Sequence, residues 1–106
     1  MAWMLLLVAG LLEVAWAYSM KQSEGFSRLG PSLVTLVLMV LSFTLLSVAM
    51  RTLPLGTAYM VWTGIGAVGA FVVGVVALGE SANPLRIVAA LLIVAGLVLM
   101  KIASPQ

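Results

Sequence analysis

A single carboxylate, that of Glu13, is the side chain best placed to do chemistry in this chain. It is the only charged side chain among the first twenty residues, and apolar residues extend for several positions on both sides. Placing a charge at membrane depth costs at least ~2.5–3.5 kcal/mol of insertion free energy, so a charged residue is retained there where it pairs with another group, faces a cavity or has a function. Glu13 is therefore the first candidate for a residue that binds a proton or a cation.

The composition excludes most other chemistry. The chain is 64% hydrophobic and 8% charged, with a mean hydropathy of +1.28, whereas soluble domains carry roughly 25% charged residues. It contains no Cys and no His, and its carboxylates are Glu13, Glu24 and Glu80. Metal sites, cofactors and thiol or imidazole catalysis are therefore not expected, and we predict that the protein is not an enzyme. A net charge of +2 is too small for a nucleic-acid surface.

Four apolar stretches predict an all-α membrane protein with four transmembrane helices, at approximately residues 3–20, 32–50, 55–78 and 84–103. The last stretch has only 14 uncharged residues between Arg86 and Lys101, fewer than the usual ~17–25. These two cations can reach opposite interfaces, so we still interpret it as a span. Pro31 and Pro84 fit the first turns of the second and fourth helices, with Asn83 as an N-cap. The connections are short, so residues 1–106 are predicted to form one transmembrane domain.

Small and aromatic residues surround the expected site. Gly10 and Trp16 lie one helical turn from Glu13 on the same face of the first helix. Tyr59 and Trp62 share a stripe on the third helix. Aromatic faces beside a buried carboxylate suit a cation, and the Tyr59 hydroxyl can orient the carboxylate. The alternative is that these rings only pack the bundle.

The second helix contributes three further candidates. Ser42, its deepest polar residue, can donate to Glu13 or satisfy the carbonyl four residues before it in its own helix. Met39 and Phe43 lie beside it, and Met39 is either an adaptable wall for substrates or core filler. The sequence leaves both roles open for Ser42 and both roles open for Met39.

Small residues mark the last two helices. Gly64 and Gly66 predict either a bend that absorbs a conformational change or close helix packing. Ala89 and Gly96 lie on a small-residue face of the fourth helix, which suits helix association.

The basic residues are almost evenly divided between the two sides of the membrane. Lys21, Arg28 and Arg86 lie on one side, and Arg51, Lys101 and the α-amino group on the other. The positive-inside rule then gives almost no preference. This balance fits either insertion in both orientations or one weakly preferred orientation.

Three sequence stretches resemble the small multidrug resistance family of proton-coupled exporters, and the likeness covers essentially the whole chain. They are residues 13–17 (EVAWA), 25–29 (GFSRL) and 53–66 (LPLGTAYMVWTGIG). Trp16, residues 62–66, residues 79–81 (GES) and Lys101 resemble the guanidinium-exporter branch. Quaternary-ammonium exporters tend to carry Gly-Thr where this chain has Trp16 and Ala17.

The resemblance implies an antiparallel, dual-topology homodimer in the bacterial inner membrane. It implies one chamber shared by both copies of Glu13 and lined by Gly10, Trp16, Ser42, Tyr59 and Trp62. A bend at Gly64 and Gly66 then alternates access, and the fourth helix holds the dimer. The family often has glycine where this chain has Ala89, so the methyl group there alters that helix contact.

The expected function is export of guanidinium and small substituted guanidinium cations in exchange for protons. A close alternative is a multidrug exporter of hydrophobic quaternary ammonium compounds. In a different class, the chain is a small structural or regulatory membrane subunit whose Glu13 pairs with a partner's cation. A proton channel, which would pass current without substrate, is a further alternative.

Overall fold

The computed structural model describes residues 1–104, which form four α-helices. They are α1 (Ala2–Gln22), α2 (Leu29–Ala49), α3 (Leu55–Leu78) and α4 (Pro84–Ala103). Each helix is long and apolar enough to cross a membrane. Even the 20 residues of α4 cover about 30 Å, the thickness of the hydrocarbon core. The prediction of four membrane-spanning helices, including the short fourth one, is confirmed.

The helix ends follow from local chemistry. α2 begins at Leu29, three residues before the predicted start, because the first turn tolerates Pro31, whose missing N–H would have no intrahelical partner. α1 continues to Gln22, so Lys21 lies in its last turn. The Asn83 side chain accepts a hydrogen bond of 3.0 Å from the backbone N–H of Arg86, which confirms Asn83 as the N-cap of α4.

The helices pack around α1, which contacts both α2 and α3, whereas the backbone of α4 comes close to that of α3 alone in the described part of the chain. The buried apolar core is formed by residues of the first three helices and the α2–α3 turn: Leu6, Ala9, Leu46, Ala49, Leu53, Ala58, Val61 and Trp62. No residue of α4 is buried. The fourth helix is therefore peripheral in the protomer, and most of its surface is uncovered.

Glycines bring α1 and α3 into close contact. A Cβ atom at Gly10 would lie 2.5 Å from Cγ2 of Ile65, and one at Gly69 would overlap the Val14 side chain. The two helices can therefore approach this closely only because these positions lack side chains. The same close approach brings Glu13 against the middle of α3.

Candidate functional site

Glu13 lies in the middle of α1, half-buried, with its carboxylate directed at α3. Its Oε1 atom is buried and has no hydrogen-bond partner among residues 1–104. A Cβ atom at Gly66 would overlap this carboxylate, so the bare backbone of Gly66 forms the surface on which Glu13 rests. The missing side chain at Gly66 leaves space for the carboxylate, but its Oε1 atom has no polar partner in the part of the chain that the structure describes.

Ser42 connects three helices and does not contact Glu13 through its hydrogen bonds. Its hydroxyl donates to the backbone carbonyl of Ala9 at 2.7 Å and accepts from the indole Nε1–H of Trp62 at 3.0 Å. Both predicted fates of this hydroxyl, donation to Glu13 and donation within its own helix, are therefore wrong. The reason is that α1 packs closely enough against α2 to bring the Ala9 carbonyl within hydrogen-bond distance of the Ser42 hydroxyl.

Four aromatic side chains from three helices form a continuous row. Phe43 meets Trp16 edge-on, with ring centroids 6.2 Å apart, and meets Trp62 edge-on at 5.7 Å. Tyr59 continues the row, 5.7 Å from Trp62. These are favourable aromatic geometries. The predicted aromatic residues Trp16, Tyr59 and Trp62 thus lie together, and Phe43 is the ring that joins them.

The remaining predicted lining residues are Gly10 on α1 and Met39 on α2. Gly10 is buried one turn before Glu13, against Ile65. Met39 is half-buried on α2, one turn before Ser42 and Phe43. The indole nitrogen of Trp16 is buried without a hydrogen-bond partner in the described chain, as is the Glu13 Oε1 atom one turn before it. A donor and an acceptor are thus both left available on the same face of α1.

Gly64 and Gly66 both occupy close contacts. A Cβ atom at Gly64 would lie 2.5 Å from Cδ2 of Leu97 on α4, and Gly66 faces Glu13. α3 is continuous through both glycines. Close packing therefore explains both glycines in this structure. The bend at Gly64 and Gly66 remains a prediction about a second conformation.

Ala89 and Gly96 lie exposed on α4. A Cβ atom at Gly96 would meet no heavy atom within 4 Å. Within residues 1–104, therefore, nothing packs against the small-residue face at Gly96.

Three interactions of α4 residues were not foreseen from the sequence. The Arg86 guanidinium lies over the Phe71 ring at 5.1 Å, and Lys101 Nζ lies over the Trp3 ring at 4.8 Å. Arg86 also pairs with Glu80 at 3.8 Å. Sequence spacing gives no signal for the two ring contacts, because each joins residues that only the packing of the helices brings together.

The arrangement suits reversible binding of one positive charge. A half-buried carboxylate without a fixed partner needs compensation by a proton or a cation. The aromatic row offers ring faces, which attract cations and exclude water. Membrane-spanning helices, an unpaired intramembrane carboxylate and an aromatic row together are typical of a membrane transporter.

Comparison with known proteins agrees with this class. Residues 1–103 match the family model described as Small Multidrug Resistance protein. The chain is 57% identical over 104 residues to a guanidinium exporter of Salmonella typhimurium (strain LT2), covering 98% of this chain and 99% of that protein. It is 56% identical to a guanidinium exporter of Citrobacter freundii and 55% identical to one of Escherichia coli (strain K12), with the same coverage.

The chain belongs to the small multidrug resistance family. It is therefore a transporter rather than an enzyme, and a multi-pass protein of the bacterial inner membrane.

Proposed function

We propose that this protein exports guanidinium and small substituted guanidinium cations in exchange for protons. The observation that carries the proposal is the buried Oε1 atom of Glu13, which has no hydrogen-bond partner in the described chain and lies one helical turn before Trp16, the first ring of the aromatic row. A guanidinium ion is flat, presents paired N–H donors that match a carboxylate, and stacks on aromatic rings. The relatives named guanidinium exporters match this chain over nearly its full length, which supports the same substrate here.

Competition for Glu13 couples the two ions. The carboxylate is compensated by a proton or by a substrate cation, and binding of one displaces the other. A proton gradient directed inward then drives the cation outward without a separate coupling device. The orphaned indole N–H of Trp16, on the same face of α1, is suited to hydrogen-bond a group that shares the site.

The proposed working unit is an antiparallel homodimer in which two copies of Glu13 share one chamber. The uncovered surface of α4 and the near balance of basic charges between the two sides of the membrane support it. In such a dimer the inward-open and outward-open states are the same structure with the protomers' roles exchanged. Bending of α3 near Gly64 and Gly66 is the proposed motion between them.

Purified protein in proteoliposomes tests this function. We expect an outward pH gradient to drive guanidinium flux in the wild type and in Glu24→Gln, which removes an exposed loop carboxylate. We expect Glu13→Gln to show no coupled flux, because an amide cannot exchange a proton for a cation. Substantial coupled transport by Glu13→Gln would contradict the proposal.

A second candidate is export of hydrophobic quaternary ammonium cations. Phe43 and Tyr59 are 45% and 53% exposed in the protomer, and half-buried Met39 offers an adaptable apolar contact. Tight exchange of tetraphenylphosphonium without exchange of guanidinium would favour this candidate over the first.

A further inference from the structure

After the C-terminal end of α3, the chain folds back so that a second carboxylate, that of Glu80, lies against the helix. Gly79 has a left-handed φ of +69°, and the N–H of Glu80 donates to the carbonyl of Gly74 at 3.0 Å. A Cβ atom at Gly74 would lie 2.5 Å from Oε1 of Glu80. The missing side chain at Gly74 therefore provides the space that the Glu80 carboxylate occupies against α3.

This carboxylate belongs to a group of contacts that surrounds a guanidinium. The guanidinium is that of Arg86: it lies 3.8 Å from Oε1 of Glu80 and 5.1 Å over the ring of Phe71, and it donates to the backbone carbonyl of Ser81. A carboxylate, an aromatic face and a carbonyl oxygen are the three kinds of group that recognise a planar guanidinium. The side chains of Arg86 and Glu80 are 40% and 42% exposed, so a solute can reach them.

The same group lines one end of a cleft of about 370 Å³ between the C-terminal halves of α1 and α3. Phe71, Glu80 and Arg86 line the outer end of this cleft, beside Lys21 of α1. The inner end of the cleft is bordered by Val14 and Ala67. In the sequence, these residues directly follow Glu13 and Gly66, the two residues of the central site.

We infer that Glu80, Phe71 and the Ser81 carbonyl form a second guanidinium-binding site at the outer end of this cleft, occupied at rest by Arg86. An arriving guanidinium cation displaces the Arg86 side chain and is held one cleft length from Glu13. This inference rests on the proposed function, because it assigns an outer site to the same class of substrate.

The Glu80–Arg86 ion pair is partly exposed, which makes it easy for a solute cation to replace Arg86. Exposed ion pairs contribute little to stability, so a solute cation competes with Arg86 at modest concentration. The backbone of Arg86 stays fixed by the Asn83 cap, and its side chain is free to swing toward water. Lys21, at the same end of the cleft, opposes a second positive charge and keeps binding weak enough for release.

Binding is tested with guanidinium chloride titrated at constant ionic strength against isotope-labelled full-length protein in lipid nanodiscs. The background is Glu13→Gln, which removes binding at the central carboxylate. We expect saturable NMR shifts at Phe71, Glu80 and Ser81. Adding Arg86→Gln removes the internal competitor and should tighten binding by about threefold to fivefold, as expected for an exposed ion pair.

Two variants identify the groups that bind. Adding Glu80→Gln should abolish the saturable shifts, while adding Glu24→Gln, a matched carboxylate of the α1–α2 loop, should leave them unchanged. Phe71→Leu keeps the carboxylate and should weaken binding. Unchanged affinity in Glu80→Gln, or an absence of saturable shifts in the Arg86→Gln protein, would overturn the outer site.

Transport separates this inference from the proposed function. With Glu13 intact, Glu80→Gln should raise the KM for guanidinium by about threefold to fivefold and leave kcat unchanged. Wild-type protein that binds guanidinium near Glu80 but does not exchange it would refute the proposed function alone. Normal exchange with no effect of Glu80→Gln on binding or KM would refute the outer site alone.

Discussion

The carboxylate of Glu13 lies directly against the backbone of Gly66, so closely that a methyl group at residue 66 would overlap its Oε1 atom. The contact joins the middle of α1 to the middle of α3. It places the one charged side chain of the membrane interior against a helix that is proposed to move. A change in α3 is therefore transmitted to Glu13 without an intermediate side chain.

Gly66→Ala should displace Glu13 while leaving the protein folded. The added methyl meets the far end of a flexible side chain, which can rotate away, and alanine is favoured over glycine in a helix by up to about 1 kcal/mol. We expect guanidinium binding in detergent or nanodiscs to weaken by about tenfold or more, equivalent to about 1.4 kcal/mol. Thermal unfolding should change little.

Gly56→Ala is the matched control for this substitution. Gly56 lies on the same helix, and a Cβ atom there would meet nothing within 4 Å. This variant should bind guanidinium as the wild type does. Equal binding by Gly66→Ala and Gly56→Ala would show that the position of Glu13 does not depend on Gly66.

Ser42→Ala should destabilise the protomer. The substitution leaves the buried Trp62 Nε1–H and the Ala9 carbonyl without their shared partner, a loss of about 0.6–2 kcal/mol in a membrane bundle. Reversible unfolding in mixed micelles measures it. Thr44→Ala is the control, because the Thr44 hydroxyl is exposed and donates only to the carbonyl of Val40 in its own helix. If the two variants are equally stable, the three-helix bridge contributes nothing.

Guanidinium binding should weaken as the pH falls. In the proposed mechanism, protons and the cation exclude each other at Glu13, so binding of the cation releases protons. The apparent Kd therefore rises by up to about tenfold per pH unit for each proton released, and is flat at pH values where Glu13 is already deprotonated. Isothermal titration calorimetry in buffers of different ionisation enthalpy measures both the slope and the proton release. Binding without proton release across the whole pH range would exclude direct competition.

Gly96→Leu should weaken the proposed dimer. If α4 packs against a second copy through the face that carries Ala89 and Gly96, four added carbon atoms cost about 1–3 kcal/mol of association by overpacking. Val98→Leu is the control, since at 3.6 residues per turn Val98 lies on roughly the opposite face of α4. Dilution in lipid vesicles followed by single-molecule photobleaching gives the dimer fraction. Identical dimer fractions would place the interface elsewhere.

The sequence alone determined the number and position of the helices. Long apolar runs can cross a membrane only as structures that satisfy their own backbone hydrogen bonds, so α1 to α4 were predictable. α3 and α4 have the predicted bounds. The start of α2 was misplaced, because Pro31 is compatible with any place in the first turn. The importance of Glu13 was also visible, because a lone charge in an apolar run has a known energetic cost.

Only the tertiary structure decided which groups meet. The hydroxyl of Ser42 had several possible acceptors, and its choice of the Ala9 carbonyl depends on the distance between α1 and α2. Gly64 and Gly66, for which the sequence left a bend and close packing both open, are contact surfaces for Leu97 and Glu13. The Arg86 contacts depend on how α3 and α4 pack. A sequence gives the chemistry and the helical face of each residue, but hydrogen bonds and ring contacts require separations of a few ångströms between helices, and these are set by packing.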